Sequence, residues 1–373
     1  MKELLHKEEK KVEYLELIYD LIFVYIIGRN NSLIHLTENG TISASAFMSY
    51  IVCTLAVIQI WNFSTYYINI YGKNGLREHI FLFSNMFLLY FIGVGTQEHW
   101  QHYHTEYHIA WALILLNIAL QYVIELKNHD KNDKHIKTII VLVIEAVMIL
   151  LNIPIFQTFG YDFSYIPILF GIIATFIPSK NSDSVKIDFA HLSERAMLYV
   201  VFTFGEMVIA ISEYFHGEIS FNLIYFALMA FLIVVGLFLS YGTFYDKIID
   251  REQETNGLLY MLLHIFIIFG INNITASLEF MRDAEMSLVP KIIFLICSFL
   301  IFYVFLLMTR RYAKKTCKPP LKFYLKLAGI ALCFITLMII FKENMYINIS
   351  ISVIFVFAIY GIIYRLGKYN TEK

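Results

Sequence analysis

The chain has 373 residues, 58% of them hydrophobic and 17% aromatic, and its 29 Lys and Arg nearly balance 30 Asp and Glu for a net charge of −1. Only 16% are charged, against about 25% in a soluble domain, so an ordinary soluble fold is excluded and a lipid bilayer is the expected surrounding. Four cysteines, Cys53, Cys297, Cys317 and Cys333, show no paired spacing, which argues against a disulfide framework or a cysteine zinc site.

The first eleven residues are charged and lack a small-residue cleavage site, so no removable signal peptide is expected. Residues 12–28, VEYLELIYDLIFVYIIG, follow. At 100° per residue Glu13, Glu16 and Asp20 share one helix face, joined further on by Asn31 and His35. An ionised carboxylate in hydrocarbon costs several kcal/mol, so this stripe faces protein or water.

Apolar runs of roughly 20 residues, enough to cross a bilayer, recur about twelve times, near 14–37, 44–70, 78–97, 109–127, 137–154, 160–178, 189–214, 221–246, 257–280, 288–308, 323–341 and 345–366. The pair flanking Pro154 and Pro167 also reads as one span plus a re-entrant piece. Lys and Arg concentrate in alternate loops, as at Lys73 and Arg77, at Lys127 to Lys137, and from Arg310 to Lys322. By the positive-inside rule both termini are cytoplasmic and the number of spans is even. The expected fold is an all-α polytopic transmembrane bundle of about twelve spans. It is a single domain over 1–373, or two six-helix halves, 1–186 and 187–373, hinted at by Asn74-Gly75-Leu76 and Asn256-Gly257-Leu258.

Between the third and fourth runs lies HWQHYHTEYH, with His99, His102, His104 and His108. Imidazoles so spaced can bind zinc or nickel, but the stretch reads as an outside loop and its histidines as surface polar filler. No metal site and no cofactor are expected.

Three stretches carry a resemblance. Leu15-Glu16-Leu17-Ile18-Tyr19-Asp20-Leu21-Ile22-Phe23-Val24 opens the chain; His191-Leu192-Ser193-Glu194-Arg195, followed by Phe204-Gly205-Glu206, lies in the seventh run. Trp61-Asn62-Phe63 with Tyr66-Tyr67, and Tyr260 with His264, make a looser third. Together they resemble the bacterial low temperature requirement A family of integral membrane proteins, over about two-thirds of the chain. Phe204 departs from that family's pattern. The resemblance implies a multi-pass protein of the bacterial inner membrane, named for a cold-growth phenotype, and supplies no activity.

In the seventh run His191, Arg195, Glu206 and Glu213 fall within about 60°, with Glu194 on the flank. Arg195 and Glu206 are separated by roughly 16 Å along the axis, so each needs a partner on another helix. Counting depth along runs of like direction puts Glu16, Asp20, Glu194 and Arg195 in an inner layer, with Glu145 and His264 slightly deeper. Arg29, Glu206, Asn272 and Asn273 form an outer layer. Asp20 and Arg195 are therefore expected to approach each other. Glu206 is expected to face a polar cavity, with Arg29 as a partner only if the first helix kinks near Gly28.

Two interpretations of these charges remain open, ion pairs that lock the bundle and a proton- or ion-coupled pathway. No catalytic motif stands out, and Arg195 argues against a metal at the His191 and Glu194 spacing. The expected activity is a transporter-like permease for a small solute or ion, not an enzyme and without a nucleic-acid partner. The alternatives are a channel-like or sensor protein and, third, a membrane-embedded enzyme; a homo-oligomer fits any of them.

Overall fold

The computed structural model describes residues 10–35, 37–95, 100–128, 133–177, 187–212, 220–281, 286–317 and 319–371. Twelve α-helices occur among them: α1 Tyr14–Asn30, α2 Ala44–Tyr71, α3 Leu76–Gly95, α4 Trp100–Asn128, α5 Asp133–Phe159, α6 Tyr165–Phe176, α7 Phe189–Ser212, α8 Phe221–Thr243, α9 Leu258–Phe280, α10 Leu288–Met308, α11 Leu321–Ile340 and α12 Met345–Thr371. Ten helical segments are long and apolar enough to cross a membrane.

The all-α membrane architecture is as expected, but two of the twelve anticipated spans, α3 and α6, fall outside those ten. Helix α6 has 12 residues, about 18 Å of length against a hydrocarbon core of about 30 Å. It packs along α5 as a short companion. Helix α3 opens with Arg77, Glu78 and His79, which dilute its apolar character. The histidine-rich stretch, residues 99–108, is also helical from its second residue onward, since α4 begins at Trp100 instead of near 109.

The distribution of side chains inverts that of a soluble protein. Phe87, Phe221, Leu325, Leu332 and Ile354 are exposed, whereas Asp20, Glu145, His191 and Arg195 are buried. Apolar surface is free to face lipid, while each ionisable group inside hydrocarbon must find protein partners or water.

The chain divides into two compact units. The first comprises Met1–Asn30, Ile51–Leu198 and Arg251–Met261. Within it α4 packs on α3 and α5, and α1 packs on α3. Glu78 caps the start of α3, its Oε2 accepting from Gly75 N at 2.7 Å, and Arg77 joins Glu78 to Glu125 of α4.

The second unit comprises Asn31–Tyr50, Tyr199–Asp250 and Leu262–Lys373. Helix α12 packs on α8 and α11 there, and α8 ends in a turn of π-helix at Phe244–Ile248. A two-residue hairpin pairs Thr37–Glu38 with Thr41–Ile42. Its turn needs positive φ at both central residues, and Asn39 at 52° and Gly40 at 74° supply it. A Cβ on Gly40 would also lie 2.3 Å from Ser287 Oγ.

Candidate functional site

The first unit buries a charge cluster built from α1, α2 and α7. Helical spacing puts Glu16 and Asp20 on adjacent turns of one α1 face, and both are buried. Arg195 of α7 meets them. Its Nε donates to Asp20 Oδ2 at 3.3 Å, its Nη2 donates to Asp20 Oδ1, and the two side chains are 0% exposed. Trp61 of α2 adds a third donor, Nε1 to Asp20 Oδ1 at 2.7 Å. The Asp20 carboxylate thereby has two donors on Oδ1 and one on Oδ2.

Glu16 is differently placed. Its Oε2 lies 3.4 Å from both Arg195 Nε and His191 Nε2, yet among the described residues this oxygen has no hydrogen bond. His191 Nε2 and Arg195 Nη1 are likewise buried without one. The side of the cluster nearest Glu16 thus holds polar atoms whose bonding is incomplete.

The tautomer of His191 follows from a neighbour. Asn69 Nδ2 donates to the Asp188 carbonyl at 2.8 Å, and Asn69 Oδ1 accepts from Asp188 N at 3.1 Å. These two backbone bonds fix which end of the amide is nitrogen. The same Nδ2 lies 3.1 Å from His191 Nδ1, so Nδ1 accepts and the ring proton of a neutral imidazole sits on Nε2, facing Glu16. Asp188 also caps α7, its Oδ1 accepting from His191 N at 3.1 Å.

With His191 neutral, two carboxylates face one guanidinium and the cluster carries one surplus negative charge. Lys10 stands beyond it, its Nζ donating to the carbonyls of Ile68 and, at 3.4 Å, Asn69, near the end of α2. Burial pushes the Lys10 ammonium below its usual value, the Glu16 charge opposing that shift.

The other expected site residues disperse. Glu194, placed by sequence in the inner layer, is only half-buried and joins no ion pair among the described residues. It precedes Arg195 by 100° of helix rotation, and the buried sector of α7 takes His191 and Arg195 instead. Glu145 is buried but makes neither an ion pair nor a hydrogen bond among the described residues. It packs against Gly171 of α6, where an added Cβ would lie 2.3 Å from Glu145 Oε2 and 2.2 Å from Gln59 Nε2.

Arg29 donates from Nη1 to Tyr25 OH at 3.1 Å on its own helix. It lines a 360 Å³ cleft between α1 and α3, otherwise mostly apolar. Glu206 does not enter a charged pair among the described residues. It sits half-buried at the edge of the α7 face that exposes Gly205, Val208 and Ile209. Glu213 lies outside the described residues. His264 is buried in the second unit, with Nε2 3.1 Å from Tyr241 OH. Asn272 and Asn273 meet Tyr50 there, at 2.9 and 2.6 Å from its hydroxyl.

The four histidines separate as well. His99 lies outside the described residues and His102 is exposed on α4. His104 and His108 are buried and stacked, with ring centroids 3.8 Å apart, so they are not surface filler. Asp162 approaches them from the turn between α5 and α6, its Oδ1 3.7 Å from His104 Nε2. Burial alone would raise the Asp162 carboxyl, but the nearness of His104, hydrogen bonding from Ser164 and the proximity of His108 hold it well below the usual carboxylate range.

Long apolar helices that enclose buried charges define a multi-pass integral membrane protein with a polar interior. The profile described as Bacterial low temperature requirement A protein (LtrA) matches residues 11–359, and the chain belongs to that family. Comparison with curated proteins finds no match.

Proposed function

We propose that the protein is a permease moving a small solute or ion, with Glu16 as the group that takes up a coupled proton or cation. The observation that carries this is the division of labour between two buried acids. Asp20 is paired with Arg195 and hydrogen-bonded by Trp61, whereas Glu16 is left over from that pair with an unmet oxygen, the Lys10 ammonium standing farther off. A buried surplus charge is costly in a purely structural cluster, and it is what a coupling site requires. Asp20 and Arg195 hold the framework; Glu16 and His191 face the transported species.

The bacterial family favours the inner membrane, the loop charges favour both termini in the cytoplasm, and ten or twelve crossings both keep the termini on one side. The test is tag-free protein in liposomes, scored for proton and alkali-cation flux driven by a pH gradient or a membrane potential. Wild type should show saturable flux, and Glu16→Gln should abolish its dependence on the gradient while the protein reconstitutes normally. Unchanged gradient-driven flux in Glu16→Gln overturns the assignment. Unitary currents in a planar bilayer would replace the permease with a channel.

A further inference from the structure

We propose that His104, His108 and Asp162 bind a divalent transition-metal ion, zinc by their donor set, where the first turns of α4 meet the α5–α6 turn. His104 and His108 stand four residues apart on a helix, the spacing that presents two imidazoles on one face. One ligand atom from each of the three residues lies within 4.8 Å of the others. Zinc bonds of about 2.0–2.2 Å in a tetrahedron hold ligands about 3.3 Å apart, so the ion draws the three together by about an ångström and a half. Two imidazole nitrogens and one carboxylate oxygen are a recurrent zinc donor set, with a fourth position open to water.

The surrounding bonds orient these donors. His108 Nδ1 lies 2.6 Å from the His104 carbonyl oxygen. A carbonyl can only accept, so Nδ1 carries a proton and Nε2 offers its lone pair to the cluster, the second-sphere arrangement of a metal-bound histidine. Asp162 Oδ1 is held by Asn152 Nδ2 at 2.8 Å, Ser164 N at 2.9 Å and Ser164 Oγ at 2.5 Å. All of these end on Oδ1, leaving Oδ2 for the ion.

Neighbouring side chains gather these donors at one point. Ser164 Oγ lies 2.5 Å from both Asp162 Oδ1 and His108 Nε2, and Asn152 Nδ2 approaches Asp162 Oδ1, Ser164 Oγ and, at 3.3 Å, His108 Nε2. The Asp162 carboxylate and the His108 lone pair are thereby held beside each other, and Phe156, stacked on His104 at 3.9 Å, closes one side.

The test uses full-length protein without a histidine tag, stripped with a chelator and titrated with zinc, read by metal content after desalting and by thermal unfolding. About one zinc per chain and a raised unfolding temperature are expected. His108→Ala and Asp162→Ala should each lose retention, by at least about tenfold in affinity, while His102→Ala, on the exposed part of the same helix, keeps it. Cobalt in place of zinc should give the visible absorption of a tetrahedral nitrogen and oxygen site, a readout on wild type that survives if a variant fails to fold. Wild-type protein that retains no zinc and gives no tetrahedral cobalt spectrum overturns the site. Equal zinc retention by His108→Ala and wild type overturns it as well.

Discussion

Removing one charge from the buried cluster separates a lock from a surplus. In Asp20→Asn the guanidinium of Arg195 stays fully buried but loses a carboxylate that accepted from two of its nitrogens. Breaking a buried ion pair by removing one partner costs about 3–5 kcal/mol. Glu16, 3.4 Å from Arg195 Nε, remains as a counter-ion and brings the expected loss to the lower end, about 3 kcal/mol. Glu16→Gln removes the unneeded negative charge and leaves the Asp20 pair intact, so its cost should stay below about 1 kcal/mol.

Paired thermal scans in one detergent measure the contrast. A cycle of Asp20→Asn, Arg195→Gln and the double variant should return a favourable coupling of about 2–3 kcal/mol. A Glu16→Gln protein destabilised as much as Asp20→Asn would refute the division of roles. So would a coupling indistinguishable from zero.

Three further outcomes follow from packing and topology. Tyr50→Phe deletes the hydroxyl that Asn272 and Asn273 share and should lower stability by about 1–3 kcal/mol; an unchanged unfolding midpoint would show that the amides find other partners. Gly171→Ala drives a Cβ against Gln59 and Glu145, costing about 1–3 kcal/mol by overpacking, while Gly329→Ala, whose Cβ meets nothing within 4 Å, should leave the midpoint unchanged. A cysteine at His102, exposed near the start of α4, should react in intact cells with an impermeant maleimide; reaction only after the membrane is breached would reverse the topology.

Sequence revealed this site in proportion to its helical periodicity. Glu16 and Asp20 share a face because of spacing alone, and matched depth brought Arg195 to them. Depth says nothing of which sector a helix buries, so Glu194, one residue away from Arg195, was assigned to the interior and lies at its flank. Arg29 shows a contact that depth does not anticipate either, since an Arg one turn beyond Tyr25 can bond to it on its own helix.

The buried histidines were misread because polarity around 99–108 looks like a loop, although their four-residue spacing was a usable helical signal. Asp162 could not have been joined to them. It comes from a turn in another connection, and only the packing of α5 and α6 beside α4 brings it near. Asn69 was missed similarly, because its role runs through the backbone of Asp188.

That amide has a consequence for proton conduction. Relay through an imidazole requires one ring nitrogen to receive a proton while the other releases one to an acceptor. At His191 the nitrogen remote from Glu16 faces an N–H donor held in place by two backbone bonds. With its own proton on Nε2, the neutral ring can release one toward Glu16 but has no lone pair on that side to take one up. In this conformation a chain of proton hops would terminate at His191.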